Sequence, residues 1–210
     1  MSRILVINPN SNESVTQGLR DSLQEFNSSA DIECCTITDG PFGIETGEEI
    51  ENVIPLVVQK ISASPEFDAY VIACYSDPGV AKCNELFNKP VFGMQRSAIE
   101  KAISTGRRFG VLALSEQSIE RHLAYIRGLG LDGHLAGELP LDISVDEAAN
   151  DAGSFEKIVS QGRRLIEDSG ADVLILGCAG MAPHREPLEK ILIVPVIEPA
   201  QAAVSMAIEA

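Results

Sequence analysis

The sequence predicts an α/β protein of two similar lobes, each a four-stranded parallel sheet flanked by helices, related by a pseudo-twofold axis with a cleft between them. Three observations carry this. Short apolar runs that stop at Gly, Asn, Ser or Pro alternate with longer stretches of helical period, the mark of repeated βα units. Landmarks recur at nearly one offset: Val6 lies 105 residues before Val111, Cys74 lies 104 before Cys178, and Pro90 lies 105 before Pro195. Each half also runs from an aspartate through an apolar strand to a cysteine, with Asp68-Ala69-Tyr70-Val71-Ile72-Ala73-Cys74 lying over Asp172-Val173-Leu174-Ile175-Leu176-Gly177-Cys178.

Taken in order, residues 3–7 are an apolar strand that meets Asn8-Pro9-Asn10, and residues 13–26 the helix behind it. Residues 32–37 form a second strand holding Cys34 and Cys35, followed by a helix over 47–62. The strand at 69–73 stops against Cys74, and Tyr75-Ser76-Asp77-Pro78-Gly79 turns the chain into a helix over 78–86. A strand at 90–92 and a helix at 95–104 complete the first half. The second half places strands at 108–113, 135–139, 172–176 and 194–197, with helices at 116–128, 154–169, 183–188 and 199–208. Ala179-Gly180-Met181-Ala182-Pro183 is the turn that follows Cys178.

Composition narrows the function. Of 210 residues, 45% are hydrophobic and 22% charged, an ordinary globular balance. The formal charge of −15 repels polyanions, and no basic run offsets it, so nucleic-acid binding is not expected. The opening residues lack both the length of a membrane span and the layout of a signal peptide, which points to a cytoplasmic protein with no membrane association. Five cysteines without a Cys-x-x-Cys pair indicate reduced thiols, with neither a disulfide framework nor a structural metal site. Cys34, Cys35 and Cys83 read as packed hydrophobes.

Cys74 and Cys178 differ from these by position. Ligands of open α/β sheets bind beyond the carboxyl ends of the strands, where both residues fall, each before a helix. Helix N-termini favour a thiolate over a thiol, whose ordinary pKa is ~8.5. Across a cleft, one thiolate takes a carbon-bound proton, N–H groups hold the enolate, and the opposite thiol returns a proton to the other face. A pair of similar acids suits a reversible inversion.

With Ile7-Asn8-Pro9-Asn10-Ser11, Ala73-Cys74-Tyr75-Ser76-Asp77-Pro78-Gly79 and Leu176-Gly177-Cys178-Ala179-Gly180-Met181, the sequence resembles the aspartate/glutamate/hydantoin racemase superfamily over nearly its whole length, and most closely the hydantoin and allantoin racemase branch. The resemblance implies a cofactor-independent racemase or epimerase with Cys74 and Cys178 as acid and base, acting on a small molecule and forming a homo-oligomer. It places residues 1–95 with 199–210 in the first lobe and residues 96–198 in the second. It implies that Asn8, Ala179 and Gly180 contact substrate oxygens, with Ser76 and Asp77 beside the first cysteine as further binding candidates.

Departures from the family pattern bear on the substrate. Acidic amino-acid racemases carry Cys-Thr-His at the second cysteine, where Ala179-Gly180 follow here; His184 is a more distant partner or a surface residue. Arg96 stands where hydantoin-type members often carry an acid, and a carboxylate ligand would account for a cation in the first turn of a helix. Arg185 poses the same question. Glu198 either orients the cleft or caps a helix. Ser115 and Gln117 mirror the Asn-Pro-Asn loop through the internal repeat and are candidate hydrogen-bond donors. Rival readings are a maleate isomerase-like or arylmalonate decarboxylase-like enzyme on the same scaffold, and a two-lobed binding protein without catalysis.

Overall fold

The computed structural model describes residues 1–150 and 153–210. All eight expected strands form: β1 Ser2–Asn8, β2 Ala30–Thr36, β3 Ala69–Ile72, β4 Val91–Gly93, β5 Phe109–Ala113, β6 Leu135–Pro140, β7 Val173–Leu176 and β8 Val196–Ile197. They make two parallel four-stranded sheets ordered β2-β1-β3-β4 and β6-β5-β7-β8. Every residue of β3, β5 and β7 is buried, so these inner strands read as unbroken apolar runs.

The repeat extends to the register. Val6 lies opposite Val71 in the first sheet and Val111 opposite Ile175 in the second, which are equivalent positions. The aspartates that open the repeat do the same work in both lobes. Asp68 accepts from Arg3 N at 2.9 Å and donates its own N–H to Arg3 O at 2.8 Å; Asp172 accepts from Arg108 N at 2.9 Å and donates to Arg108 O at 2.9 Å. Each carboxylate thus pins the start of one inner strand to the next and sets which residue ends opposite which.

The helices are α1 Glu13–Ser22, α2 Gly47–Ser62, α3 Val80–Leu86, α4 Met94–Thr105, α5 Glu116–Gly128, α6 Val145–Asn150, α7 Ser154–Glu167, α8 Arg185–Leu192 and α9 Pro199–Glu209. Their starts are chemically marked: Asn12 caps α1, Thr46 and Glu49 form a reciprocal box on α2, and Ser115 caps α5. Two expected helices differ. The first breaks after Ser22 into a 3₁₀ turn, Gln24–Phe26, and the one expected over 183–188 starts later and runs on to Leu192 as α8, behind a 3₁₀ segment, Ala179–His184. Helix α6 was not expected, although Ser144 and Glu147 carry its capping box, with Ser144 N donating to Glu147 Oε2 at 2.8 Å and Glu147 N to Ser144 Oγ at 3.2 Å.

One apolar cluster spans both lobes. Ile4, Val6 and the α9 residues Ala200, Ala203 and Val204 belong to the same buried cluster as Leu112, Leu174 and Leu176. α9 packs on β1, β3, β4 and α4, while α4 also meets β5, β7 and β8. α1 of the first lobe packs on the Ala179–His184 turn of the second. Among the described residues no helix is long and apolar enough to cross a membrane.

Candidate active site

Strands β3 and β7 deliver a cysteine to the same place. Cys74 follows β3 and Cys178 follows β7, and the two line one pocket of about 570 Å³, a volume that includes its open mouth. Its walls combine Asn10, Ser76, Ser115 and Arg121 with the apolar Ile44, Leu114, Ile143 and Val145. Three pseudo-symmetric pairs share its lining: Cys74 with Cys178, Ala73 with Gly177, and Asn10 with Ser115. A mostly apolar cleft with a few convergent polar groups is the usual form of a small-molecule site.

The turns after the cysteines aim N–H groups at sulfur. Gly180 N donates to Cys178 Sγ at 3.3 Å, and the amide and hydroxyl of Ser76 favour the charged form of Cys74. These donors were expected to lower the thiol pKa values, and burial outweighs them. Desolvation pushes Cys74 up to about 11 and Cys178 up to about 12, with the donors pulling the other way. The Cys74 charge further opposes ionisation of Cys178. In the substrate-free chain the favoured state of both groups at neutral pH is the thiol.

The other candidate residues separate into those at the pocket and those that support it. Ser76, Ser115 and Ala179 line it, and Gly180 acts through its N–H on Cys178. Asn8 is fully buried away from the lining. Its Nδ2 donates to Asn10 Oδ1 at 2.9 Å, Asn12 O at 3.1 Å and Thr16 Oγ1 at 3.0 Å, and its Oδ1 accepts from Asn10 N at 3.1 Å. Asn8 is thus engaged internally and presents Asn10, the residue that reaches the pocket.

Asp77 is spent on α4, accepting from Gln95 N at 2.8 Å and Arg96 N at 3.1 Å. Burial raises its pKa to about 6 against these donors. It lies so close to Gly93 that a Cβ there would come within 2.2 Å of the carboxylate. Arg96 projects from α4 into solvent, pairs with Glu100 at 2.8 Å and stands outside the pocket lining. His184 also stands outside it, half-buried, stacked on Phe155 with centroids 5.5 Å apart and bonded through Nε2 to Ala148 O at 3.1 Å. Arg185 faces Glu25 and Glu189. Glu198 is a helix cap: its carboxylate accepts from Ala200 N at 3.0 Å and Gln201 N at 2.7 Å at the start of α9. Of the remaining cysteines, Cys83 is buried in the first lobe's core, and Cys34 and Cys35 are half-buried on opposite faces of β2.

Sequence reading missed Arg121 and His122 on α5. His122 Nδ1 shares a short hydrogen bond with Glu138, and its ring meets the edge of Tyr75 with centroids 5.0 Å apart. The visible signal was spacing: Ser115, Ser118, Arg121 and His122 fall on one helix face behind the loop that mirrors Asn8-Pro9-Asn10. Among the described residues no group of three or more His, Cys, Asp or Glu side chains is placed to hold a metal ion.

Comparison with known proteins agrees with the two-lobed fold. Residues 4–207 match the family model described as Asp/Glu/Hydantoin racemase. A hydantoin racemase of Rhizobium meliloti is 31% identical over 97% of this chain and 86% of its own length. The solved allantoin racemase from Klebsiella pneumoniae superposes with a TM-score of 0.94 at 28% identity, covering 99% of this chain and 86% of that one. A solved arylmalonate decarboxylase, 18% identical with a TM-score of 0.71 over 99% of this chain and 91% of its own, shares the fold.

Proposed function

This chain belongs to the Asp/Glu/hydantoin racemase family, and from that premise we propose that it inverts one stereogenic carbon next to a carbonyl by moving protons between Cys74 and Cys178. The observation that carries the reading is the delivery of two thiols, from symmetry-related strand ends, to the walls of one pocket.

The electrostatics suit that task. Burial makes each thiolate costly and a charge on Cys74 opposes one on Cys178, so both rest as thiols at neutral pH and the reactive form carries one thiolate and one thiol rather than two thiolates. The thiolate takes the carbon-bound proton, an S–H bond forms, and the C–H electron pair moves onto the carbonyl oxygen. The opposite thiol then gives its proton to the other face of the carbon and becomes the thiolate. Acid and base both come from the chain, so the reaction as proposed is cofactor-independent. Asn10, Ser76 and Ser115 are placed to hydrogen-bond a polar ring, and Ile44, Leu114, Ile143 and Val145 to cover its apolar edge.

The substrate class we favour is the hydantoin or allantoin type, the molecules for which the relatives above are named. Incubation of single enantiomers of 5-substituted hydantoins, allantoin, aspartate and glutamate in deuterated water tests it. Loss of optical rotation with deuterium at the stereogenic carbon is expected for the hydantoins or allantoin. Turnover of maleate or an arylmalonate, with every enantiomer left unchanged, would contradict it.

A further inference from the structure

The pair of His122 and Glu138 is not a requirement of the repeated fold. Val6 and Val111 are equivalent positions; Val6 lies opposite Cys34 on β2, and Val111 opposite Glu138 on β6. Where the first lobe packs a half-buried thiol, the second places a carboxylate, and α5 meets it with His122. The two side chains are 3% exposed for His122 and 1% for Glu138. A buried ionisable pair in place of apolar packing is a weak source of stability, so its place at the pocket needs another reason.

His122 lines the pocket beside Tyr75, with Nδ1 bonded to Glu138. Its other nitrogen, Nε2, has no hydrogen-bond partner among the described residues. The enclosed side-chain atoms without a partner there are Tyr75 Oη, Gln95 Nε2, Arg121 Nε and Glu138 Oε2, and His122 Nε2 is not one of them; it is the ring atom open to a ligand. Charge decides what it offers. Glu138 Oε2 meets no cation, since Arg121, next along α5, turns to Gln117 O at 3.1 Å and Glu45 O at 3.0 Å. Burial pushes the Glu138 pKa up, against the hydrogen bond to His122. A pair of net charge −1 would leave that oxygen charged and unmatched, whereas a pair holding one more proton is neutral. Imidazolium with carboxylate and imidazole with carboxylic acid are its two forms. In both, Nδ1 and Glu138 share one hydrogen and Nε2 carries another.

We propose that His122 donates a hydrogen bond from Nε2 to the substrate carbonyl oxygen that becomes the enolate oxygen, with Glu138 as the residue that positions the ring. The identity of that oxygen rests on the racemase reading above. As the C–H electron pair moves onto the oxygen, the bond from Nε2 strengthens while its hydrogen stays on nitrogen. A donor aimed at charge that develops only during reaction lowers the barrier more than it tightens binding. Glu138 touches no substrate and acts through the imidazole alone.

Two amide substitutions separate this role from a purely structural one. The amide of His122→Asn reaches the place of Nδ1 and keeps a bond to Glu138 but offers nothing at Nε2, whereas that of His122→Gln reaches the place of Nε2. With the hydantoin or allantoin enantiomer that the wild type turns over, kcat should fall on the order of a hundredfold in His122→Asn with KM within a few-fold. His122→Gln should recover at least a tenfold part of that loss. A pair needed only for packing predicts the opposite order, so a near wild-type kcat in His122→Asn, or His122→Gln as the slower of the two, would overturn the proposal. ¹⁵N NMR of the substrate-free wild type at neutral pH, with labelled histidine, needs no variant to fold: Nε2 of His122 is expected to bear hydrogen, and a bare Nε2 would equally overturn the proposal. An Nε2–H in a protein that turns over none of these substrates would remove the function proposed above, and with it the enolate oxygen, while leaving the His122 donor on the pocket.

Discussion

Gly177 lies directly against Leu112: its N–H donates to Leu112 O at 2.9 Å, and a Cβ at Gly177 would fall 2.5 Å from that same oxygen. A strand-to-strand hydrogen bond and a side chain cannot share this space, and the residue that would have to move is the one before Cys178. Gly177→Ala should therefore cost about 1–3 kcal/mol of stability by overpacking, measured by urea denaturation. It should also lower kcat at least tenfold by displacing the sulfur, while the equivalent Ala73→Gly in the first lobe leaves kcat within a few-fold.

The raised thiol pKa values predict an alkaline dependence of rate. Catalysis by this scheme needs one thiolate, and the first thiolate forms with a pKa of about 11 in the substrate-free chain. At neutral pH only a small fraction of the enzyme carries it, and that fraction grows about tenfold per pH unit. kcat/KM should climb with a slope near one on logarithmic axes from pH 7 through pH 9. A profile that is flat across that range would mean that a thiolate is already formed at neutral pH and that burial does not govern the pair.

Glu198 predicts a stability dependence of opposite sign to the usual carboxylate. Burial first, against the α9 N–H groups, raises its pKa from 4.5 to about 7. The folded state thus binds the proton more tightly than the unfolded one. Its contribution is greatest below pH 4.5 and declines as pH rises through about 7. Compared with Glu198→Gln, which does not titrate, the wild type should lose on the order of 3 kcal/mol between pH 4 and pH 8. Parallel denaturation curves at the two pH values measure it, and an unchanged difference between the two proteins would contradict the shift.

What the chain revealed in advance was its repeat and the two cysteines that end matching strands. Inner parallel strands are covered on both faces, so β3 and β7 stand out as apolar runs, and a cysteine at the end of each is visible as soon as the two are laid over one another. The choice between neighbours within a loop was less visible. Asn8 and Asn10 are equally polar, and only the turn geometry shows that Asn8 is consumed internally while Asn10 faces the pocket. Arg96 drew attention through its place in the first turn of a helix, yet Glu100 one turn on was the sign of an ordinary surface pair. Arg121 has Gln117 and Tyr125 at the same spacing, so nothing along its own helix marked it as a surface ion pair. The thiol pKa values depended on a magnitude, the cost of burial against two or three N–H donors, that a motif does not carry.

The central claim, that Cys74 and Cys178 serve opposite faces of one carbon, is tested most directly by following each enantiomer of the substrate in deuterated water with Cys74→Ser and Cys178→Ser. With a single thiol left, racemisation should fall at least a hundredfold in both variants. Each should still exchange the carbon-bound proton of one enantiomer with retention of configuration, and the two variants should prefer opposite enantiomers. If either variant racemises at a near wild-type rate, or both exchange the same enantiomer, the two thiols do not flank the reacting carbon and the mechanism is wrong.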